Sequence, residues 1–240
     1  MLKASRIVVL GGSAGIGLAV AQQAAQHGAE VVIASSSAQR LAAARASLPA
    51  ATQTVVADLT DAAATKKLFA QVGAFDHLVF TAGEPLVMGP LATLDLDTAR
   101  RFFELRYWGA VTAVKHAAGQ LRRGGSIVLT GGIAAQRPHA GWTIGASICG
   151  AMEALTRALA VELAPQGLRV NLVSPGIIET GLWSNLTDAA RGELYRGVAA
   201  ALPVGRVGRP ADVAAIYVAL MANGFATGQS YVVDGGGLLV

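Results

Sequence analysis

The residues whose types and spacing could do chemistry begin with Gly11-Gly12-Ser13-Ala14-Gly15-Ile16-Gly17. This stretch follows the apolar run Ile7-Val8-Val9-Leu10 and leads into an Ala-rich helical pattern from Leu18 to about His27. A strand, a glycine turn and a helix in that order place bare backbone N–H groups at a helix N-terminus, where a pyrophosphate can sit. Glycine suits the position because a side chain would block the approach of phosphate and because the turn demands unusual dihedrals. The spacing is G-x-x-x-G-x-G rather than the common G-x-G-x-x-G, and a plain strand-to-helix turn is the alternative reading. Two further residues have reactive side chains. Cys149 is a thiol with no base within sequence reach, so a small buried filler competes with a nucleophile. His139 titrates near neutrality and stands with Trp142 and Thr143 before a helix, where it could face a substrate or simply occupy a loop.

The elements that must position these residues follow from the pattern of the chain. The 240 residues are 53% hydrophobic and 14% charged, enough for one domain with a deep core. Strands alternate with helical patterns, which predicts an α/β fold with a parallel sheet covered by helices on both faces. Strands are expected at 7–10, 30–34, 54–57, 77–80, 126–130, 168–173 and 230–233. Helices are expected near 38–47, 62–71, 97–121, 143–163 and 210–222, with Gly124-Gly125 stopping the third of these. The segment 180–205 reads as a mobile flap with short helices, within a single domain spanning 1–240. Ligands of such a sheet bind beyond the carboxyl ends of the strands. Gly11–Gly17, Ser35–Ser37, Asp58, Thr81–Gly83, Gly131-Gly132 and Pro175–Thr180 all fall at such ends.

Bulk properties narrow the function classes. No apolar stretch reaches the length expected of a bilayer span, and the first residues run straight into a strand, so neither a membrane partner nor a signal peptide is expected. The single cysteine forbids an internal disulfide and fits a reducing cytoplasm. The net charge of +4 is scattered, which describes a solvated surface rather than a nucleic-acid face. No metal-ligand cluster is expected.

By this point the chain resembles the short-chain dehydrogenase/reductase family over essentially its whole length. The resemblance is carried by Gly11-x-x-x-Gly15-Ile16-Gly17, Asp58-Leu59, Ala82-Gly83 and Ala151–Leu163. Arg169-Val170-Asn171, Pro175-Gly176-x-x-x-Thr180, Gly205–Ala214 and Asp234-Gly235-Gly236 complete it. It implies a doubly wound Rossmann-type sheet of seven mostly parallel strands and a bound nicotinamide dinucleotide. The residues implied at the cofactor are Gly11, Ser13, Gly15, Ile16, Gly17, Asp58, Leu59, Ala82, Gly83, Pro175, Gly176, Ile178 and Thr180. Asp58 would meet the adenine ring, or else cap a helix. Thr180 would hold the nicotinamide carboxamide, or cap the flap.

An acidic residue about twenty positions beyond the glycines would bind a ribose 2′-OH and repel a 2′-phosphate. Ser35-Ser36-Ser37 stand there instead, with Arg40 one helical turn on, and three hydroxyls with a guanidinium can receive a phosphate. NADP is therefore preferred over NAD, although the serines could merely cap the next helix. The resemblance also implies assembly as a homodimer or homotetramer through its long helices and last strand.

The family's catalytic residues do not appear. Its tyrosine position falls on Gly145, its lysine on Cys149, its serine on Gly132 and its asparagine on Arg106, and no Tyr-x-x-x-Lys occurs anywhere in the chain. Loss of a positioned general acid costs about 10²–10⁴ in rate. Reduction of an unidentified small-molecule substrate would then use a displaced acid such as His139, or water, while Tyr195 could swing in from the flap. The alternative is a catalytically silent dinucleotide-binding module. Arg106, if it points inward, could fill the space left at Gly145 and Cys149 and contact the cofactor; if outward, it is an ordinary surface arginine.

Overall fold

The computed structural model describes residues 2–86 and 88–240. Seven parallel strands form one sheet: β1 (Arg6–Leu10), β2 (Glu30–Ser35), β3 (Gln53–Val56), β4 (Phe75–Phe80), β5 (Leu121–Thr130), β6 (Arg169–Pro175) and β7 (Ser230–Val233). Their spatial order is β3-β2-β1-β4-β5-β6-β7. The direction of winding reverses between β1 and β4, and that reversal opens a crevice at the carboxyl ends of those two strands.

The strands read as nearly continuous Val/Ile/Leu runs because helices cover both faces of the sheet. Alternate residues feed separate cores. Val8, Leu10, Val32, Leu78, Ile127 and Leu172 point to one side, where α3 (Ala62–Val72), α4 (Leu96–Phe103), α5 (Ala110–Ala117) and α6 (Thr143–Leu163) supply Leu68, Phe102, Val114 and Met152. Ile7, Val9, Ile33, Val79 and Val128 point to the other. There α1 (Gly15–Gln26), α2 (Ala38–Arg45) and α8 (Pro210–Ala222) contribute Val20, Leu41 and Tyr217. One more helix, α7 (Asp188–Ala201), lies outside these layers with no buried residue.

Several expected boundaries change. The helix expected over 97–121 is three pieces, because a π-helical segment, Glu104–Gly109, separates α4 from α5. Gly124-Gly125 do not stop that helix; they lie inside β5, where the register with β4 shifts between Phe75 and His77. The flap holds one long helix, α7, in addition to a single 3₁₀ turn at Gly181–Trp183. Against the expectation that no stretch has the makings of a bilayer span, Thr143–Gln166 is long and apolar enough by length and composition, with a mean hydropathy of 1.3. In this fold one side of that helix, with Ile148, Met152, Thr156, Ala160 and Leu163, is buried.

A polar pair crosses the core at the opposite, amino-terminal edge of the sheet. His77 is buried on β4 and its Nδ1 lies 2.9 Å from Ser126 Oγ on β5. Burial pushes the imidazole down to about 4, against the pull of Asp76 and with the help of Arg169. The unfolded chain, with His77 at its ordinary 6.5, then binds the extra proton below neutrality. The stability gained by keeping His77 neutral is complete above that value and is lost as pH falls toward 4. Urea unfolding at pH 7.5 and pH 5 should show about 2 kcal/mol less stability at the lower pH; equal values would contradict this account of His77.

Candidate active site

The glycine turn is built from close approaches of backbone to backbone. Gly11 sits at φ +86°, and a Cβ there would lie 2.6 Å from the Ala82 nitrogen at the end of β4. Gly11 and Gly12 N–H both donate to Ala34 O on β2, and Thr81 donates from its N–H and its hydroxyl to Leu10 O. β1, β2 and β4 are thereby locked at one height. Gly17 is packed against Gly11 O and the Thr81 hydroxyl, so α1 starts close to the sheet. The N-cap of α1, Ala14, has no side chain to cap the first turn. Ser13, Gly15 and Ile16 are part-exposed around that open helix end. The turn therefore presents the N–H groups and dipole that an anion needs.

The neighbouring strand ends complete a rim. At β2, Ser35 is buried and accepts from Ser37 N–H, while Ser37 caps α2 by accepting from Arg40 N–H. Those two serines do the local work; Ser36 and the Arg40 side chain stay exposed. Beyond β3, Asp58 Oδ1 accepts from the N–H and hydroxyl of Thr60, and Asp61 is the residue that caps α3. Asp58 is exposed, and Leu59 behind it is buried. Beyond β6, Pro175 and Ile178 are buried, and Gly176 passes close to Asp234. Thr180 accepts from Leu182 N–H, and a Cβ on Gly15 would lie 3.4 Å from its Cγ2. The flap's first residue thus faces the glycine turn.

Arg106 points inward. Its guanidinium lies against Gly83, where a Cβ would be 2.7 Å from Cζ, and it stacks over Phe102 at 4.5 Å. It donates to Glu84 O, and its Nε is 3.7 Å from Glu84 Oε2. Among the described residues neither Nε nor Oε2 has a hydrogen-bond partner, although both are buried. Arg106 does not fill the space at Gly145, which is open: among the described residues nothing lies within 4 Å of a Cβ placed there. Cys149 is close enough to Arg106 for the two to feel each other's charge. A Cβ on Gly132 would meet Cys149 Sγ at 3.1 Å, so the glycine makes room for the thiol.

The other expected residues stay at the periphery. His139 is exposed and meets Trp142 edge to face at 5.3 Å, and Trp142 approaches the buried Trp183 at 6.4 Å. Tyr195 lies on α7, part-exposed. Gly89 N–H donates to Gly141 O, Leu86 N–H to Leu182 O, and Asn185 Nδ2 to Leu86 O. Three loops are laced together into one wall.

Known proteins match this arrangement. A family described as enoyl-(acyl carrier protein) reductase matches residues 11–237. A short-chain dehydrogenase/reductase of Gibberella fujikuroi, fsr5, is 34% identical over 99% of this chain and 96% of its own length. The chain belongs to the short-chain dehydrogenase/reductase family. Among solved members, a small-chain dehydrogenase in complex with NADPH superposes with a TM-score of 0.87 at 34% identity, covering 99% of this chain and 100% of that one. A further relative, 31% identical over 95% of both chains, is the cyclic-di-GMP-binding biofilm dispersal mediator protein of Escherichia coli.

One residue of the site was not singled out from the sequence. Glu84 follows Ala82-Gly83 at the carboxyl end of β4 and carries the acid nearest Arg106. Its position just past a strand end was the available signal.

Cys149 gives the site a chemical signature. Burial pushes its thiol up to about 11, overriding the pull of Arg106. Alkylation by iodoacetamide at pH 8 should run about 100-fold slower in the folded protein than in urea, and rise tenfold per pH unit. Equal rates in both states would show an exposed thiol of ordinary reactivity instead.

Proposed function

We propose that this protein is an NADP(H)-dependent oxidoreductase whose active site departs from the family pattern, with Arg106 as its fixed cation. The observation that carries the reading is the pairing of an intact nucleotide cradle with an inward guanidinium beside Cys149 and an open volume at Gly145. Among the described residues, the uncapped α1 N-terminus suits a pyrophosphate. Ser36 and Arg40 suit a 2′-phosphate. The second carboxylate oxygen of Asp58 suits the adenine amine. Thr180, opposite Gly15, suits the carboxamide end, and Ala82 and Gly83 leave flat backbone between the two. Ser13, Gly15, Ile16 and Gly17 would hold the phosphates, and Leu59, Pro175, Gly176 and Ile178 the flanks. The bound dinucleotide would supply the hydride. Arg106 cannot release its proton near neutrality; its part is to hold charge, either on the cofactor ribose or on a substrate oxygen.

The substrate is a small molecule whose reducible bond can enter the space over Gly145, with Trp142 and His139 at the mouth. Assembly as a homodimer or homotetramer follows from the outward side of α6, where Val161 is 78% exposed, and from Trp108, 54% exposed. Cytoplasmic residence accords with the lone thiol.

A second reading is a silent dinucleotide-binding module that acts through a partner. It is favoured by the residues at positions 132, 145 and 149, of which two have no side-chain acid and the third a thiol pushed up to about 11. A relative named for binding a different nucleotide points the same way.

Calorimetric titration with NADPH and NADH, followed by a panel of ketones, quinones and activated alkenes, separates the readings. NADPH should bind at least tenfold more tightly than NADH, and Arg40→Ala should erase most of that preference. Turnover of any panel member supports the enzyme; binding with none supports the module; no binding of either dinucleotide overturns both.

A further inference from the structure

We infer that Glu84 is the proton donor of this active site, taking the part that a tyrosine at position 145 would otherwise play. This rests on the oxidoreductase reading and names the group that reading lacks.

The argument starts from position. Glu84 is the first side chain after the bare backbone of Ala82-Gly83, so it stands at the carboxyl end of β4 beside the surface on which a nicotinamide would lie. Its Oε2 is buried and has no hydrogen-bond partner among the described residues. A carboxylate oxygen is a strong acceptor, and leaving one unsatisfied away from water is costly. An oxygen that carries a proton and directs it at a ligand loses far less. The side chain is nevertheless 34% exposed, which leaves a route for protons from solvent.

The surroundings fit a group that cycles between neutral acid and anion. Arg106 Nε lies 3.7 Å from Oε2, too far for a hydrogen bond but close enough to stabilise negative charge. Arg106 stays in place whatever Glu84 carries, because it also donates to Glu84 main-chain O and rests on Phe102 and Gly83. Two influences compete at the carboxyl. Burial favours the neutral acid, while its own backbone and the Arg106 charge favour the anion, and burial wins, raising Glu84 above its ordinary value. Arg106 is the charged group that acts on Glu84, while Cys149 acts on Arg106 and Glu153 of α6 acts on Cys149.

The step balances without any further reactant. The dinucleotide, when bound, would supply the hydride for the new C–H bond at a carbonyl carbon, with the C=O π pair moving onto oxygen. That oxygen takes the Glu84 O–H proton, giving an alcohol and a Glu84 carboxylate facing Arg106. Solvent returns the proton through the exposed part of the side chain.

Two measurements test this. Infrared difference spectra of the full protein without cofactor, titrated from pH 3 to pH 9, should show a carboxylic C=O band that is lost at higher pH than those of the exposed carboxyl groups and is absent in Glu84→Gln. In parallel, the panel member that wild type reduces best should be turned over about 100-fold more slowly by Glu84→Gln. NADPH affinity and circular dichroism should be unchanged, Glu84→Asp should recover part of the rate, and wild-type kcat/KM should fall as pH rises through the Glu84 titration. Unchanged turnover in Glu84→Gln overturns the assignment while leaving the oxidoreductase reading intact. A wild type that reduces nothing overturns that reading instead. In that case the infrared band decides alone, and a Glu84 that ionises together with the exposed carboxyl groups removes the assignment too.

Discussion

The carboxyl ends of β1 and β4 meet backbone to backbone, and the rest of the site depends on that contact. Gly11 at φ +86° lies so close to Ala82 that any side chain would displace one strand end or the other. The contact sits where the winding of the sheet reverses, so it sets the width of the crevice at the switch point. It also fixes where α1 begins, because Gly17 is packed on the Gly11 carbonyl and the Thr81 hydroxyl. Thr81 in turn is tied to Leu10 O by both its N–H and its hydroxyl. The cradle at the head of α1 and the floor beyond β4 are therefore one rigid object; neither can shift without the other.

On the far side of that floor, glycine makes room for charge and for a thiol. Arg106 occupies the volume that a side chain at position 83 would take, and Cys149 reaches toward the volume that one at position 132 would take. These are coupled choices. A guanidinium is large and planar and needs a flat, Cβ-free surface to lie against, which Gly83 provides, with Phe102 on its other side. A thiol at 149 is short and apolar beside Gly132, so burial keeps it neutral. The permanent positive charge of this region is thus delivered from the α4–α5 side, not from α6. That inverts the direction from which a lysine at 149 would have supplied it.

Much of the fold was legible in the sequence because it rests on local periodicity. The strand at 230–233 and the helix at 143–163 stand as read, and the other strands shift by a few residues at their ends. What was not legible depends on contacts between distant segments. The break in the helix expected at 97–121 arises at a π-helical turn ending in Gly109, where a Cβ would lie 3.1 Å from Leu59 O. No periodicity in the window announces that approach. Gly124-Gly125 looked like a stop signal, yet they serve a shift of register whose cause is the pairing of β5 with β4. The Ser35–Ser37 run was read as a phosphate site or a cap. It divides, with Ser35 and Ser37 spent locally and Ser36 left outward. Arg106 could be placed on a helix from sequence, but its direction follows from Gly83, more than twenty residues away and across the crevice.

The π-helical turn connects these observations. Such turns open the backbone by one residue and are frequent at functional sites. Here the segment Glu104–Gly109 carries Arg106 at its middle. One wall of the opening is held by Gly109 against Leu59, itself next to Asp58 just beyond β3. The other is held by Arg106 against Gly83 and Glu84. A single irregular turn therefore touches both ends of the crevice: its last residue packs beneath the end of β3, and its cation reaches past the end of β4. In a regular α-helix the three residues from 106 to 109 would span about 300°, and the wider π turn rotates less per residue, so the two positions stand at a different angle to each other. In a regular helix Gly109 and Arg106 could not both hold their present contacts. The irregularity is what lets one helical strut brace the loop beyond β3 and deliver a charge to Gly83 and Glu84 beyond β4.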